Sequence, residues 1–232
     1  MKVRTVTFIS GSGKGIGRFL AEHYLEKGHV VIGCSRHESD LVHERYSHYC
    51  LHVSDEKEVK GMFRDIRKKH GKLDNLINNA SIASMNHAIL TTIDTVRKVL
   101  EVNVTGTFLL SREASKIMRS GHGRIVNFVS VATPLKLEGE AIYASSKAAV
   151  VTLTQILAKE FAHMGITVNA LGPAPIRTDL IKSVPEKKLQ RLIDQQAIKR
   201  FGELKDVSNV TDFYLNPDSD FITGQVLYLG GV

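Results

Sequence analysis

The sequence predicts one doubly wound α/β domain: a parallel sheet of about seven strands with helices on both faces. Three observations carry this. Short apolar, β-branched runs alternate without a break with longer segments of helical spacing. A glycine-rich turn, Ser10-Gly11-Ser12-Gly13-Lys14-Gly15-Ile16-Gly17, stands between the first strand and the first helix. No repeat, linker or low-complexity stretch divides the 232 residues, a length that suits a single large core spanning 1–232.

In order, Val3 to Ser10 reads as a central strand buried on both faces. Ile16, Phe19, Leu20 and Tyr24 recur at helical spacing after the glycine turn, and Lys27-Gly28 closes that helix. His29 to Ser35 and Tyr46 to Val53 are the second and third strands. Asp55 opens a charged helix to about His70, and Leu73 to Asn78 is the fourth strand. A long helix is predicted over Ile93–Arg119, with Asn103, a poor helix former, bending it locally. Arg124 to Val129 is the fifth strand. Tyr143 to about His163 is a helix apolar nearly all round, which implies burial on more than one side. Gly165 to Leu171 is the sixth strand. Pro185 starts a short helix, Lys205 to Leu215 is another, and the last strand begins at Phe221.

Composition excludes several classes. With 43% hydrophobic and 24% charged residues the chain reads as globular rather than disordered. No apolar run reaches the roughly 18 residues of a membrane span, and nothing resembles a secretory leader, so a cytoplasmic protein is expected. The formal charge of +7 comes without a basic block, zinc-finger spacing or aromatic stacking motif, so no nucleic-acid partner is expected. The histidines show no metal-ligand spacing, and no metal is expected. Cys34 and Cys50 read as two buried thiols.

The chemistry concentrates between Ser130 and Lys147. Tyr143 and Lys147, four apart on a helix, stand one turn apart on one face. An ammonium there favours phenolate and draws the tyrosine pKa down from about 10. Such a tyrosine can give a proton to a carbonyl oxygen or take one from an alcohol. Ser130, at the carboxyl end of the fifth strand, lies where open α/β sheets bind ligands.

This chemistry needs a hydride donor, and the glycine turn offers its place. Strand, glycine turn and helix bring backbone and helix N-terminus to a pyrophosphate. Arg36 follows the second strand where a site for NAD would carry an acid, and Lys14 lies inside the turn. Two bases suit a 2′-phosphate, so NADP(H) is the expected cofactor.

Taken together, Gly11-x-x-x-Gly15-Ile-Gly17, Asn78-Asn-Ala80, Asn103, Ser130, Tyr143-x-x-x-Lys147, Asn169 and Pro173…Thr178 resemble the short-chain dehydrogenase/reductase family over essentially the whole chain. The resemblance implies a Rossmann-type fold and a catalytic tetrad of Asn103, Ser130, Tyr143 and Lys147. Tyr143 would be the acid/base, Ser130 would polarise the carbonyl, Lys147 would hold the nicotinamide ribose, and Asn103 would hold a relay water. It implies cofactor contacts from Gly11, Ser12, Lys14, Gly15, Ile16, Gly17, Arg36, Val53, Asn79, Ala80, Tyr143, Lys147, Pro173, Ile176 and Thr178.

Four positions depart from the family pattern: Ser10, Ser81, His52 and Ala174. Within the family, Gly123-Arg-Ile-Val, Gly165-Ile-Thr-Val-Asn169, Arg200-Phe-Gly202 and Ile222-Thr-Gly-Gln…Gly-Gly231 look like 3-oxoacyl-(acyl-carrier-protein) reductases. Carrier-protein reductases often place bases before the glycines at 123 and 165; here those positions read His122 and His163-Met164. The implied substrate is a small-molecule or acyl-carrier-bound carbonyl compound. Sugars, polyols and other ketones stand as the alternative, and a non-catalytic cofactor sensor as the second. A substrate lid is expected at about 175–202; from Arg177 to Arg200 it carries seven bases against three acids. A homotetramer with two-fold symmetry, built partly on the helix after Tyr143, is the expected assembly.

Overall fold

The structure, a computed structural model, describes residues 4–118, 121–178, 181 and 184–232. Val3, Arg119 and the lid residues Asp179, Leu180, Lys182 and Ser183 lie outside the described residues.

Seven parallel strands form one sheet in the order β3-β2-β1-β4-β5-β6-β7. They are β1 Val6–Ser10, β2 Val30–Ser35, β3 Tyr46–Cys50, β4 Asn75–Asn78, β5 Gly123–Phe128, β6 Ile166–Gly172 and β7 Val226–Tyr228. The order reverses between β1 and β4, and a crevice opens there outside the carboxyl ends of the strands. β1, β4, β5 and β6 are buried along their whole length, polar residues such as Asn78, Asn127 and Asn169 included.

Successive residues on each strand feed opposite faces. Phe8, Ile32, Leu76 and Ile125 join one core cluster with α2 Glu56–His70, α4 Gly106–Ser115 and the end of α6 Ala141–Glu160. Ile9, Val31, Ile77 and Val126 join the other, with α1 Gly15–Glu26 and α8 Leu204–Leu215. The helix caps follow the sequence signals. Asp55 accepts from Glu58 N–H at the start of α2, and Gly71 closes α2 with φ 71°.

Five expectations change. The long helix is interrupted: α3 Ile93–Leu100 and α4 are joined by a π-helical turn, Glu101–Thr105, centred on Asn103. β3 stops at Cys50 rather than Val53: Leu51 N–H still donates to the Ser35 carbonyl at the end of β2, and the chain then turns at residues 53 and 54 toward α2. Cys50 is therefore exposed, while Cys34 is buried as expected. The last strand is only Val226–Tyr228. A short helix, α5 Ala132–Leu135, follows Ser130, and α7 Glu186–Asp194 is the helix begun by Pro185.

By length and composition α6 is apolar enough to cross a membrane. In the fold, Tyr143, Ser146, Lys147, Val150, Thr154 and Leu157 form a stripe buried against the protein. Ile156, on its outer side, is exposed.

Candidate active site

A cavity of about 950 Å³ opens at the carboxyl ends of β1, β4, β5 and β6. It runs from Ile16 and Asn79 beside the glycine turn, past Ser130, Tyr143 and Lys147, to Pro173, Ile176 and Thr178 after β6. Residues of α7, among them Lys188, Leu189 and Arg191, form its opposite wall.

Each element aims one group inward. β5 ends at Phe128, whose carbonyl accepts a hydrogen bond of 2.8 Å from Lys147 Nζ. That bond ties α6 to the strand end and sets the ammonium 5.9 Å from the Tyr143 ring centre. Ser130 Oγ accepts from Ala132 N–H at 3.2 Å, which orients the hydroxyl at the start of α5. The Tyr143 phenol faces Ser130, and that contact favours its ionised form.

Burial overrides both. It pushes Tyr143 up to about 12 and Lys147 down to about 7. The lowered tyrosine pKa expected from the Tyr-x-x-x-Lys spacing is therefore corrected for the protein by itself. The lysine reaches the Phe128 carbonyl rather than the phenol oxygen, and withdrawal from water penalises both charged forms.

Asn103 is fully buried. Its Oδ1 accepts from Ile82 N–H, and its Nδ2 donates to the Ile82 carbonyl and to Ser146 Oγ, each at 2.9 Å. Ser146 donates in turn to the Tyr143 carbonyl. The amide is thus committed to bracing the segment after β4 against the first turn of α6. A relay water would fall to the Asn103 main-chain carbonyl, which already accepts from Thr107 Oγ1.

The glycine turn fits a pyrophosphate. A Cβ on Gly17 would lie 2.2 Å from the Gly11 carbonyl oxygen and 2.5 Å from Asn79 Nδ2, so only glycine lets α1 start this close to the turn. Gly15 has φ 58°, and a Cβ there would meet nothing nearer than Thr178 at 3.7 Å. The mouth of the turn is an open cradle at a helix N-terminus. Asn79 Nδ2 donates to the carbonyls of Ser10 and Gly11, and Ser10 Oγ accepts from the N–H groups of Asn79 and Ala80. The serine at position 10 therefore keeps the joint between β1 and β4. Lys14 caps α1, and Arg36 is exposed at the end of β2.

Some sequence candidates fall elsewhere. Gly11, Ser12, Lys14, Gly15, Gly17, Arg36, Ala80 and Asn103 lie outside the cavity lining, as does Val53, which is buried against Gly106 of α4. His52 is exposed and holds Glu58 through its backbone N–H. Ser81 and Ala174 both line the cavity. The structure adds Glu140, three residues before Tyr143 and on the cavity wall. Burial raises its carboxyl above the usual range, opposed by Lys188 across the cavity. The sequence signal for it was only its place immediately before the tyrosine helix.

With this geometry, residues 11–231 match the family model described as enoyl-(acyl carrier protein) reductase. The chain belongs to the short-chain dehydrogenase/reductase family. It is 30% identical to the 3-oxoacyl-(acyl-carrier-protein) reductase FabG of Vibrio cholerae, over 97% of this chain and 96% of that protein. Among solved structures it resembles Thermoplasma acidophilum aldohexose dehydrogenase, with TM-score 0.89 and 30% identity over 98% of this chain and 93% of the other. It also resembles ElxO with NADP bound, with TM-score 0.89 and 32% identity over 97% of each chain. The chain is an oxidoreductase of this family acting on CH–OH groups.

Proposed function

We propose that the protein is an NADP(H)-dependent carbonyl reductase whose substrate is a 3-oxoacyl thioester. The observation that carries the reaction class is the meeting of Ser130, Tyr143 and Lys147 on one wall of a cavity that reaches Ile16 and Asn79 beside the glycine turn. The curated relatives' activity on carrier-bound 3-oxoacyl groups supports the substrate. The NADP bound to a structural neighbour supports the cofactor, together with Lys14 in the turn and Arg36 after β2.

The residues divide the work. Ser130 donates a hydrogen bond to the substrate carbonyl oxygen. Tyr143, protonated across the neutral range because burial holds its pKa high, gives that oxygen its proton. Lys147, fixed by Phe128, orients the nicotinamide ribose, and Asn103 holds the start of α6 in register through Ser146. Bound NADPH supplies the hydride to the carbonyl carbon. Pro173, Ile176 and Thr178 would hold the nicotinamide end, Gly15 and Ile16 the pyrophosphate, and Asn79 and Ala80 the ribose side, while Gly11, Ser12 and Gly17 would shape the turn beneath it.

A second reading, reduction of sugars or other hydroxy-ketones, is favoured by Glu140 on the cavity wall and by the likeness to an aldohexose dehydrogenase. Segment 175–202 acts as a lid over the substrate, and the chain is one domain that works in the cytoplasm. It assembles as a two-fold symmetric homotetramer, for which exposed Leu100, Phe108 and Ile156 on α3, α4 and α6 supply apolar contacts.

The test is NADPH oxidation with a 3-oxoacyl thioester on carrier protein beside a panel of small sugars and ketones. Fast turnover of the thioester upholds the first reading. Turnover only within the panel transfers the activity to the second. Silence on both, with tight NADPH binding, overturns the enzyme reading.

A further inference from the structure

Beneath the glycine turn lies a chain of polar side chains that the reaction does not use. Ser12 Oγ meets Tyr46 OH at 3.1 Å, and Tyr46 OH meets His48 Nδ1 at 2.8 Å. His48 Nε2 meets Ser35 Oγ at 2.9 Å and the His37 carbonyl at 3.1 Å. The backbone makes room for this chain. A Cβ on Gly33 would fall 2.2 Å from Ser12 Oγ and 2.3 Å from Tyr46 OH, so the glycine in mid-strand serves the two hydroxyls.

The polar chain ends at Ser35, which stands next to Arg36, the base expected to meet the 2′-phosphate. The N–H groups of Gly11 and Ser12 both donate to the Cys34 carbonyl, which folds the turn onto the end of β2. Ser35 Oγ lies 2.9 Å from where a Gly13 Cβ would be, and Arg36 follows it.

The hydrogen positions follow from the partners. A carbonyl only accepts, so His48 Nε2 donates to His37, and Ser35 Oγ donates to the same oxygen. The neutral imidazole therefore accepts at Nδ1 from Tyr46, and Tyr46 accepts from Ser12. Adding a proton at Nδ1 costs the imidazole no bond: Nδ1–H donates to the Tyr46 oxygen, and the tyrosine hydroxyl reverses toward Ser12.

We propose that His48 is a proton-coupled part of the 2′-phosphate subsite, taking up one proton from solvent as NADP(H) binds and releasing it on dissociation. The cation so formed completes a positive floor with Arg36 and Lys14. The inference rests on the NADP(H) reading above.

The charged and titratable groups facing the imidazole agree with it. Burial holds His48 below the ordinary histidine value, so the ring is neutral until an anion arrives. Glu38, from the segment after β2, favours the imidazolium. Tyr46 and Cys50 lie on the same face of β3, and Glu38 bonds to Cys50. The His37 carbonyl also favours the imidazolium; Arg36 lies beside it after β2, Lys14 lies in the turn, and Arg18 on α1 is engaged by Glu22 and Asp40.

Titration calorimetry of the whole chain decides it. NADPH and NADH are each titrated at about pH 7, where an ordinary histidine is mostly neutral, in two buffers of different ionisation heat. The unaltered protein is expected to take up more protons with NADPH than His48→Gln does. Any proton lost by the phosphate itself is common to both proteins and cancels. NADPH binding to His48→Gln is expected to weaken about two- to fivefold, as for a partly exposed ion pair, with NADH unchanged.

Equal proton counts in the two proteins overturn the proposal, and so does equal weakening for both nucleotides. If the unaltered protein binds NADPH no tighter than NADH, the cofactor reading itself falls. If His48→Gln does not fold, NMR titration of the histidines in the unaltered chain decides. One imidazole midpoint rising with NADPH and not with NADH supports the proposal; no such rise overturns it.

Discussion

Tyr143 and Lys147 are 7% and 3% exposed, and burial drives each toward its neutral form. For the lysine the sign of the stability effect can be worked out. Its ordinary value is 10.5 and its folded value about 7. Between those pH values the unfolded chain binds the extra proton, so stability rises with pH across that window. Lys147→Met is expected to flatten the rise, read from urea midpoints at about pH 7 and pH 9. Tyr143→Phe should lower turnover by about 10²–10⁴-fold while leaving NADPH affinity in place, since it removes the proton donor alone. Survival of turnover would remove Tyr143 from the acid role. Arg36→Ser should weaken NADPH by about 1.5–3 kcal/mol and spare NADH, measured by fluorescence titration, because one charge-assisted contact is lost. The Tyr-x-x-x-Lys spacing was legible at this scale. The direction of the tyrosine shift was not, because a four-residue spacing says nothing of how much water each group loses.

Elements differ in how much local sequence decides them. β1, β4, β5 and β6 each carry an apolar, largely β-branched centre, and all four strands appear where the sequence places them. The segment after β3 misled. Leu51 and Val53 are buried, yet they pack under α2 and α4 instead of extending the strand. The interruption of the predicted long helix was partly legible, since Asn103 is a poor interior residue. Its form depended on Ile82 and Ser146, which lie 21 and 43 residues away in sequence and capture both ends of the amide. Asn103→Ala is expected to cost about 2–4 kcal/mol by stranding these buried groups. Thermal unfolding measures that cost. A fall in turnover larger than the loss of folded protein would mark the bracing of α6 as important to the reaction. An unchanged melting temperature would deny the π-helical turn its structural role.

At the scale of the molecule, the reversal of strand order at β1 and β4 and the long β6 place one cavity at the strand ends. α7 covers it from the far side, with Lys188 opposite Glu140. The outer faces of α3, α4 and α6 leave Leu100, Phe108 and Ile156 exposed in the single chain. Sedimentation is expected to give about four times the 25.7 kDa chain mass. Leu100→Glu with Ile156→Glu should shift the mass downward, because a buried charge without a partner opposes association. A monomer at micromolar concentration would contradict the assembly.

The alternation of strand and helix, the glycine turn, the Tyr-x-x-x-Lys spacing proposed for catalysis and the two bases near the turn are all legible along the chain. Each is a local pattern whose physics acts within one turn or one strand. Folding in three dimensions set the withdrawal of Tyr143 and Lys147 from water, the capture of Asn103, the exposure of Cys50 and the polar chain from Ser12 to His48. These depend on residues brought together by the sheet, where distance through space and access to water outweigh position along the chain.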